Sequence, residues 1–227
     1  MLKADRDQPD ALNLLGVIAS ARGEGARAVS LLKHACRSSQ APAAFHTNLA
    51  EICRQAGRLA DAEKAGRRAI ELDERLPQAW NNLGIILQAA GKLAESRAAL
   101  ERAVALAPDS APACNNLGNT LRKLGALQEA GERYAKAVTL DPEFAEAYCN
   151  MAAVLDELGR HEEALAEAER AIEISPQLVE AYLAAATIEA GLGRREAACA
   201  RIGAALLFAP NDSRLVAART DLLGDRR

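Results

Sequence analysis

A glycine that returns every 34 residues constrains the fold more than any other feature of the chain. An alanine column keeps the same period, twelve residues after each glycine. Self-similarity at a fixed period indicates a repeat architecture, in which each unit packs against its neighbours. The two columns are Gly23, Gly57, Gly91, Gly125, Gly159 and Gly193, and Ala35, Ala69, Ala103, Ala137, Ala171 and Ala205.

The period divides the chain into six full repeats, each beginning fourteen residues before its glycine. Residues 1–8 align with the end of a preceding repeat. Residues 213–227 are predicted to be a capping helix and tail that cover the apolar face of the last repeat. The residues expected to make that contact are Leu215, Val216, Leu222 and Leu223. The six repeats are 9–42, 43–76, 77–110, 111–144, 145–178 and 179–212.

Each repeat is predicted to be an antiparallel pair of α-helices. About fourteen residues of helical periodicity run to the glycine, which can adopt the left-handed conformation that ends a helix. The second helix is expected to end near a proline. Gln40 and Glu74 replace this proline in the first two repeats, so their second helices are expected to end later or to fray. The prolines of the other repeats are Pro108, Pro142, Pro176 and Pro210.

The core is predicted to alternate large and small side chains. Hydrophobic residues make up 50% of the chain but aromatic residues only 3%, which favours closely packed helices of alanine and leucine. Position 7 of the repeat is mostly large and position 8 is small, a complementarity that lets neighbouring helices approach. These columns are Leu15, Leu49, Leu83, Leu117, Met151 and Ala185, and Gly16, Ala50, Gly84, Gly118, Ala152 and Ala186.

The third repeat carries six of the signature residues, and the pattern resembles the tetratricopeptide-repeat family. The resemblance covers residues 9–212 and implies an all-α fold, a right-handed α-solenoid of antiparallel helix pairs. It also implies that the first helices line a concave groove, towards which positions 2, 5, 6, 9, 12 and 13 point. The signature residues are Trp80, Leu83, Gly84, Gly91, Ala103 and Pro108.

Position 6 holds an asparagine in four successive repeats, and we call Asn48, Asn82, Asn116 and Asn150 the asparagine ladder. An asparagine side chain has one acceptor and two donors, so it can pair with both the C=O and the N–H of an extended peptide. At roughly 0.5–1.5 kcal/mol for each hydrogen bond, the ladder predicts modest affinity and broad sequence tolerance. The alternative is that these asparagines cap or bridge helices inside the solenoid.

Further groove positions are polar or charged. Basic residues lie in the second and fourth repeats and acidic residues in the fifth and sixth, which would orient a bound segment; the alternative is a set of solvated helix faces. Cys149 is also expected to face the groove and to react with thiol reagents. The remaining candidate peptide-binding residues are Asn81, Asn115, Asn119, Arg54, Arg122 and Lys123, and the acidic residues are Glu146, Asp156, Glu157 and Glu180.

The ladder is similar to that of the superhelical repeat domain of O-linked N-acetylglucosamine transferases, which holds extended protein substrates. Residues 10–19 also resemble the first repeat of bacterial proteins of that kind. The resemblance implies the scaffold only, because these 227 residues show no sugar-nucleotide-binding domain. The lysine at position 5 that chaperone-adaptor repeats use to bind a C-terminal carboxylate is absent.

Composition argues against several other classes of function. The net charge of −3, from 28 basic and 31 acidic residues, disfavours nucleic-acid partners. No stretch is apolar enough to span a membrane, and residues 1–6 are too polar to open a secretory signal. Five cysteines without a CxxC pair are typical of reduced thiols, so we expect a soluble, cytoplasmic protein.

Catalysis and metal binding are not predicted. The three histidines are scattered without a metal-ligand spacing, and Cys114 occupies a core column with no histidine placed beside it. We therefore expect no enzyme activity, no metal and no cofactor. Three hypotheses follow: a scaffold that binds a protein or peptide partner in its groove, the substrate-recruiting part of a larger enzyme such as a glycosyltransferase, and a structural protein that self-associates end to end.

Overall fold

The computed structural model describes residues 8–38 and 41–224, which form thirteen α-helices and contain no β-strand. The predicted all-α solenoid of helix pairs is therefore confirmed. The contacts within the chain divide it into two compact units, Met1–Asp109 and Ser110–Arg227. The predicted ends at residues 1–7, Gln40 and the tail at 225–227 lie outside the described residues.

The first unit contains three helix pairs. The first helix of each pair begins at the first residue of a predicted repeat, at Pro9, Ala43 or Pro77. Each first helix packs against the second helix that follows it. The six helices are α1 (Pro9–Ala21), α2 (Gly25–Ala35), α3 (Ala43–Gln55), α4 (Leu59–Leu72), α5 (Pro77–Ala89) and α6 (Leu93–Leu106).

The second unit contains three further pairs and a single closing helix. Its first helices begin at Ala111, Ala145 and Val179, again the first residues of predicted repeats. The helices are α7 (Ala111–Lys123), α8 (Leu127–Leu140), α9 (Ala145–Glu157), α10 (His161–Ile174), α11 (Val179–Gly191), α12 (Arg195–Phe208) and α13 (Ser213–Gly224).

The recurring glycine ends every first helix, as predicted. All six glycines have φ between 71° and 79°, a region that side chains with a Cβ rarely adopt. At Gly57 the amide donates to the Arg54 carbonyl at 2.9 Å, and the next amide, of Arg58, donates to the Cys53 carbonyl at 2.8 Å. These two bonds form a Schellman motif, so the chain reverses without leaving the last carbonyls of the helix unpaired.

Five of the six second helices end at the same position of the repeat, whether or not a proline follows. Helices α6, α8, α10 and α12 each end two residues before a proline. Helix α4 ends at Leu72, two residues before Glu74, so the expectation that it would end later or fray is wrong. Asp73 supplies the stop instead, because its Oδ1 accepts a hydrogen bond from the Arg75 amide at 2.9 Å and forms an Asx turn. Helix α2 ends earlier still, at Ala35.

Large residues of the second helices pack directly on the small residues at position 8. A Cβ added to Gly84 would lie 2.4 Å from Leu100 Cγ, and one added to Gly118 would lie 2.6 Å from Tyr134 Cε1. Position 7 is buried at Leu49, Leu83 and Leu117, which confirms its core role in those repeats.

Leu15 departs from the other position-7 leucines, because 46% of its surface is exposed. Leu83 packs against Gly66 of α4, the second helix of the repeat before it. No described helix precedes α1, so Leu15 has no comparable contact in the described residues. Its assignment to the core is therefore corrected.

Helix α13 packs on the last helix pair mainly through one residue. Leu215 is fully buried in a cluster with Ala186 and Ile202, and Leu222 is half-buried against the same cluster. Val216 and Leu223 are exposed, which corrects their assignment to this contact.

Within each unit, the first helices lie closer together than the second helices. Successive first helices contact one another, as α3 does with α1 and α5, and as α9 does with α7 and α11. Among the described residues, no such contact joins successive second helices. We call the face lined by the first helices the inner face and the face lined by the second helices the outer face.

Candidate functional site

The inner face of the first unit contains a cavity of about 320 Å³. It lies between α1 and α3, where the two first helices contact each other. Except for Ile52, its lining residues occupy positions 6, 9, 12 and 13, which the resemblance assigned to the groove. The lining residues are Val17, Ser20, Ala21, Asn48, Glu51, Ile52 and Gln55.

The inner face of the second unit contains a cavity of about 250 Å³. It is bounded by α7, α9 and α11. The charged lining residues come from α7 and α9, whereas α11 contributes mostly apolar residues. Except for Ile188, its lining residues again occupy predicted groove positions. They are Arg122, Ala153, Asp156, Glu157, Leu183, Ala184, Thr187 and Ile188.

Two members of the asparagine ladder bridge neighbouring first helices. Asn48 Nδ2 donates to Asn13 Oδ1 at 3.1 Å, and Asn150 Nδ2 donates to Asn115 Oδ1 at 2.9 Å. Each bond joins position 6 to position 5 of the repeat before. Because an asparagine amide has two N–H groups and one carbonyl, the bond leaves one N–H and the carbonyl of Asn48 and of Asn150 available.

The other ladder asparagines are half-buried on first helices, Asn82 on α5 and Asn116 on α7. Asn82 does not form the bridge, because position 5 of the repeat before it is Thr47. The Thr47 hydroxyl donates to the Ala43 carbonyl within its own helix, at 3.1 Å.

The remaining predicted asparagines differ in burial. Asn81 is half-buried on α5, whereas Asn115 is only 6% exposed and lies behind Asn150. Asn119 is half-buried, and its Oδ1 accepts a hydrogen bond of 2.8 Å from the hydroxyl of the buried Tyr134. The structure therefore ties Asn115 and Asn119 to neighbouring side chains.

Two of the three predicted basic residues, Arg54 and Arg122, pair with acidic residues of the same face. Arg54 donates to both carboxylate oxygens of Glu51, at 2.8 and 2.7 Å. Burial raises the pKa of Glu51, but hydrogen bonds from Arg54 and Gln55 outweigh it and leave that pKa below its usual value. Arg122 donates to Glu157 of the next first helix at 2.7 Å. Lys123 is exposed at the end of α7.

Two of the four predicted acidic residues contact polar side chains of other helices. Asp156 lies 2.7 Å from His161 Nδ1, and Glu180 accepts from Arg214 at 2.6 Å. Arginines therefore balance the charge of two of the four acidic residues, Glu157 and Glu180. Glu146 is exposed on α9.

Cys149 does not present a reactive thiol. Its side chain is 9% exposed, and burial, with smaller effects of Glu180 and Glu146, raises its pKa to about 12. Because the thiolate is the reactive form, the expected reaction with thiol reagents is corrected. Cys114 is fully buried, which confirms its place in the core.

Three residues of the inner face were not predicted from the sequence. Asn13 was passed over, although it holds Asn48. Ser20 and Gln55 were also missed, and the Ser20 hydroxyl donates to Gln55 Oε1 at 3.2 Å across α1 and α3. All three occupy groove positions, so the column numbers alone could have found them. None of them is charged or belongs to the asparagine ladder, so each carries a weak signal.

Metal ligands and membrane spans are not found in the part of the chain that the structure describes. In residues 8–38 and 41–224, no three histidine, cysteine, aspartate or glutamate side chains converge as a metal site would require. None of the helices described there has both the length and the apolar character that crossing a membrane demands.

Comparison with known proteins identifies the family. One family profile described as tetratricopeptide repeat matches residues 75–143 and 109–177, and a second with the same description matches residues 18–79. Together the matches cover more than half of the chain. No curated protein sequence matches the chain significantly.

Three solved structures illustrate the similarity of fold. A chain of the APC/C hetero-tetramer Cut9–Hcn1 superposes with a TM-score of 0.84 and 14% identity, over 98% of this chain but only 44% of that chain. PilF of Pseudomonas aeruginosa gives 0.78 and 20% identity, over 96% of this chain and 97% of its own. YrrB, a TPR protein with an unusual peptide-binding site, gives 0.62 and 22%, over 83% and 97%.

These structural likenesses show the fold, and the profiles show the family. Tetratricopeptide repeats are in general non-catalytic scaffolds for protein interaction, built from helix pairs like those described above. The chain belongs to the tetratricopeptide-repeat family.

Proposed function

We propose that this protein is an interaction scaffold that binds an extended peptide or protein segment along its inner face, through the asparagine ladder. The observation that carries the proposal is the position of Asn48 in the wall of the cavity between α1 and α3. One N–H and the carbonyl of its amide are left over from the bond to Asn13, and these two groups match one peptide unit of an extended chain.

The bridges between asparagines support this proposal, since they fix the amides in place. A donor held by a neighbour loses less side-chain entropy when a ligand binds. In the proposal, Asn13 and Asn115 position Asn48 and Asn150, whereas Asn82, Asn116, Asn81 and Asn119 extend the polar surface. Arg54, Arg122 and Lys123 would contribute charge, with Arg54 and Arg122 acting from within their ion pairs.

We expect the protein to recognise its ligand mainly through the ligand's backbone. Each hydrogen bond contributes roughly 0.5–1.5 kcal/mol, so the affinity should be modest and the sequence tolerance broad. The same face would serve a stand-alone adaptor or the substrate-recruiting part of a larger enzyme, and the length of the full gene product separates these two cases. A cytoplasmic location remains part of the proposal, supported by five free cysteines.

A random-peptide library displayed on phage tests the proposal, because it samples many extended sequences at once. Peptides selected on the wild-type chain would be measured against a variant carrying Asn48→Ala, Asn82→Ala, Asn116→Ala and Asn150→Ala. The matched control is Gln177→Ala with Asn211→Ala, which removes exposed amides from the turns after α10 and α12. Circular dichroism would establish that all three chains are equally helical.

We expect the ladder variant to lose at least about tenfold in affinity, which corresponds to about 1.4 kcal/mol, while the control binds as the wild type does. Equal binding by the ladder variant would assign the asparagines to the solenoid itself and would reject the inner face as the peptide site.

Self-association is a second candidate, because α1 exposes an apolar stripe. Leu14, Leu15, Val17 and Ile18 are 40–60% exposed on this one helix. Size-exclusion chromatography with light scattering over a dilution series tests it. We expect a concentration-dependent mass that Leu15→Glu abolishes; a constant monomer mass at all concentrations would reject this candidate.

A further inference from the structure

The outer face of each unit is bridged by charged side chains between second helices that do not otherwise touch. Each unit has two gaps between successive second helices, and the residue at position 25 of the repeat bridges three of these four gaps. Lys33 of α2 pairs with Asp61 of α4 at 3.1 Å, and Arg67 of α4 pairs with Glu95 of α6 at 2.6 Å. Glu169 of α10 pairs with Arg201 of α12.

The fourth gap, between α8 and α10, lacks this bridge. Position 25 of its repeat is Ala135, which carries no charge. Position 21 is also changed, because Gly131 stands where α4 has Glu63, the acceptor of a 2.9 Å bond from Lys92. Arg160 occupies the place of Lys92, but it pairs with Glu163 of α10, at 2.8 and 2.6 Å, and not with a residue at position 21 of the repeat before.

The two missing side chains leave a cavity of about 290 Å³ bounded by α8, α9 and α10. Its floor is apolar, formed by Met151, Leu155 and Leu158. Three glutamates and one arginine are among its other lining residues, so its charge is acidic. These remaining residues are Gln128, Gly131, Glu132, Ala135, Arg160, Glu163 and Glu167.

Glu167 lacks a counter-ion in this cavity. Its side chain is half-buried, and burial followed by repulsion from Glu163 raises its pKa. No described cation forms an ion pair with it, although α8 carries Arg133 and Lys136. A carboxylate that is partly removed from water without a cation is an unfavourable arrangement, which a cation supplied from outside would relieve.

We propose that the cavity between α8 and α10 is a docking site for a lysine or arginine side chain of a partner protein. The aliphatic stem would pack on Met151 and Leu158, and the charged group would lie between Glu163 and Glu167. The incoming cation thus takes the place that Lys33 and Arg67 hold in the bridged gaps. The site lies on the outer face and does not depend on the inner face binding peptide.

Nuclear magnetic resonance with a methyl label on methionine tests the site directly. The chain has two methionines, Met1 and Met151, and Met151 lies on the cavity floor. The probe is the peptide acetyl-Gly-Ala-Lys-Ala-Gly-amide, and its control replaces the lysine by norleucine, which keeps the stem and removes the charge. We expect a saturable shift of the Met151 methyl signal with the lysine peptide and none with the control.

Two variants examine the role of the glutamates and of the missing bridge. Glu167→Gln should weaken binding of the lysine peptide by up to about fivefold, as loss of one partly exposed charge pair predicts. Glu173→Gln, which changes an exposed glutamate of the same helix outside the cavity, is the matched control and should have no effect. Ala135→Lys restores the position-25 cation of the other gaps and should abolish the shift by occupying the cavity from within.

The proposal is overturned if the Met151 signal does not shift, if the norleucine peptide shifts it equally, or if Glu167→Gln binds as tightly as the wild type does. Tighter binding of 1,5-diaminopentane than of the lysine peptide would also overturn it, since the ligand would then be a free cation and not a partner protein. Circular dichroism of every variant separates loss of binding from loss of fold.

Discussion

The inner and outer faces of each unit are held together by different chemistry. First helices lie close enough for one asparagine to reach another, as Asn150 reaches Asn115 at 2.9 Å. Second helices stand further apart and are joined by long charged side chains, as Arg67 is to Glu95. The spacing of the helices limits the side chains, because a short amide cannot cross the outer gap, whereas the inner gap is crossed both by amides and by the long Arg122 side chain, which reaches Glu157.

The difference also predicts how each face responds to mutation and solvent. The amide bridges of the inner face are partly buried, so they depend on shape and on satisfied hydrogen bonds. Outer ion pairs are exposed to water and are screened by salt. Mutations on the inner side should therefore be costly and insensitive to salt, whereas mutations on the outer side should be mild and sensitive to salt and pH.

The largest expected effect on stability comes from adding a side chain at position 8, where a second helix packs closely on a first helix. Gly118→Ala places a Cβ 2.6 Å from the buried Tyr134 ring, and we expect a loss of about 1–3 kcal/mol in unfolding free energy. Gly131→Ala, in the same unit but facing the outer gap, meets only Val154 at 3.7 Å and should gain roughly 0.5–1 kcal/mol from helix propensity. Urea denaturation measures both; equal effects at the two sites would contradict the difference between the faces.

The next effect concerns the amide bridge. Asn150→Ala leaves the carbonyl of the buried Asn115 without its donor, and we expect a loss of about 1–3 kcal/mol that is the same at low and at high NaCl concentration. Asn82→Ala serves as the control, since Asn82 lacks the bridge, and it should cost less. The interpretation fails if Asn82→Ala proves as destabilising as Asn150→Ala.

A smaller effect is expected on the outer face. Arg67→Ala removes ion pairs to Glu63 and Glu95, and we expect a loss of about 1 kcal/mol or less. The loss should shrink further in about 1 M NaCl, where the Debye length is only about 3 Å. Thermal unfolding of both chains at the two salt concentrations measures it, and a loss independent of salt would point to packing of the arginine stem.

The smallest effect is a dependence on pH at Glu63. The hydrogen bond from Lys92 is the main cause that lowers the pKa of Glu63 from its usual 4.5. A lowered pKa contributes stability that is fully present above the usual value and is lost as the pH falls through the value in the folded state. The stability difference between the wild type and Glu63→Gln should therefore vanish in acid, and thermal unfolding at about pH 7 and about pH 3 checks this. A difference that persists in acid would assign another role to Glu63.

Local signals in the sequence were reliable where the structure depends on nearby residues. Gly57 ends α3 because its left-handed φ closes the last turn, an effect that involves only its neighbours. The absence of a proline at position 74 led to a wrong prediction for the end of α4, because Asp73, one residue earlier, ends the helix with an Asx turn. The prediction for Cys149 was wrong because packing between helices buries it, as it also buries Thr47 and Asn115 at the same position of other repeats.

The sequence by itself determined the period, the helix pairs, the turns and the small residues of the core. These follow from the conformational limits of glycine and from periodicity within one helix, which neighbouring residues fix. Only the tertiary structure decided that Asn48 pairs with Asn13, that Arg122 pairs with Glu157, and that a cavity opens beside Gly131 and Ala135. Such pairings join residues about one repeat apart, so they depend on the distance between helices, which no local pattern encodes.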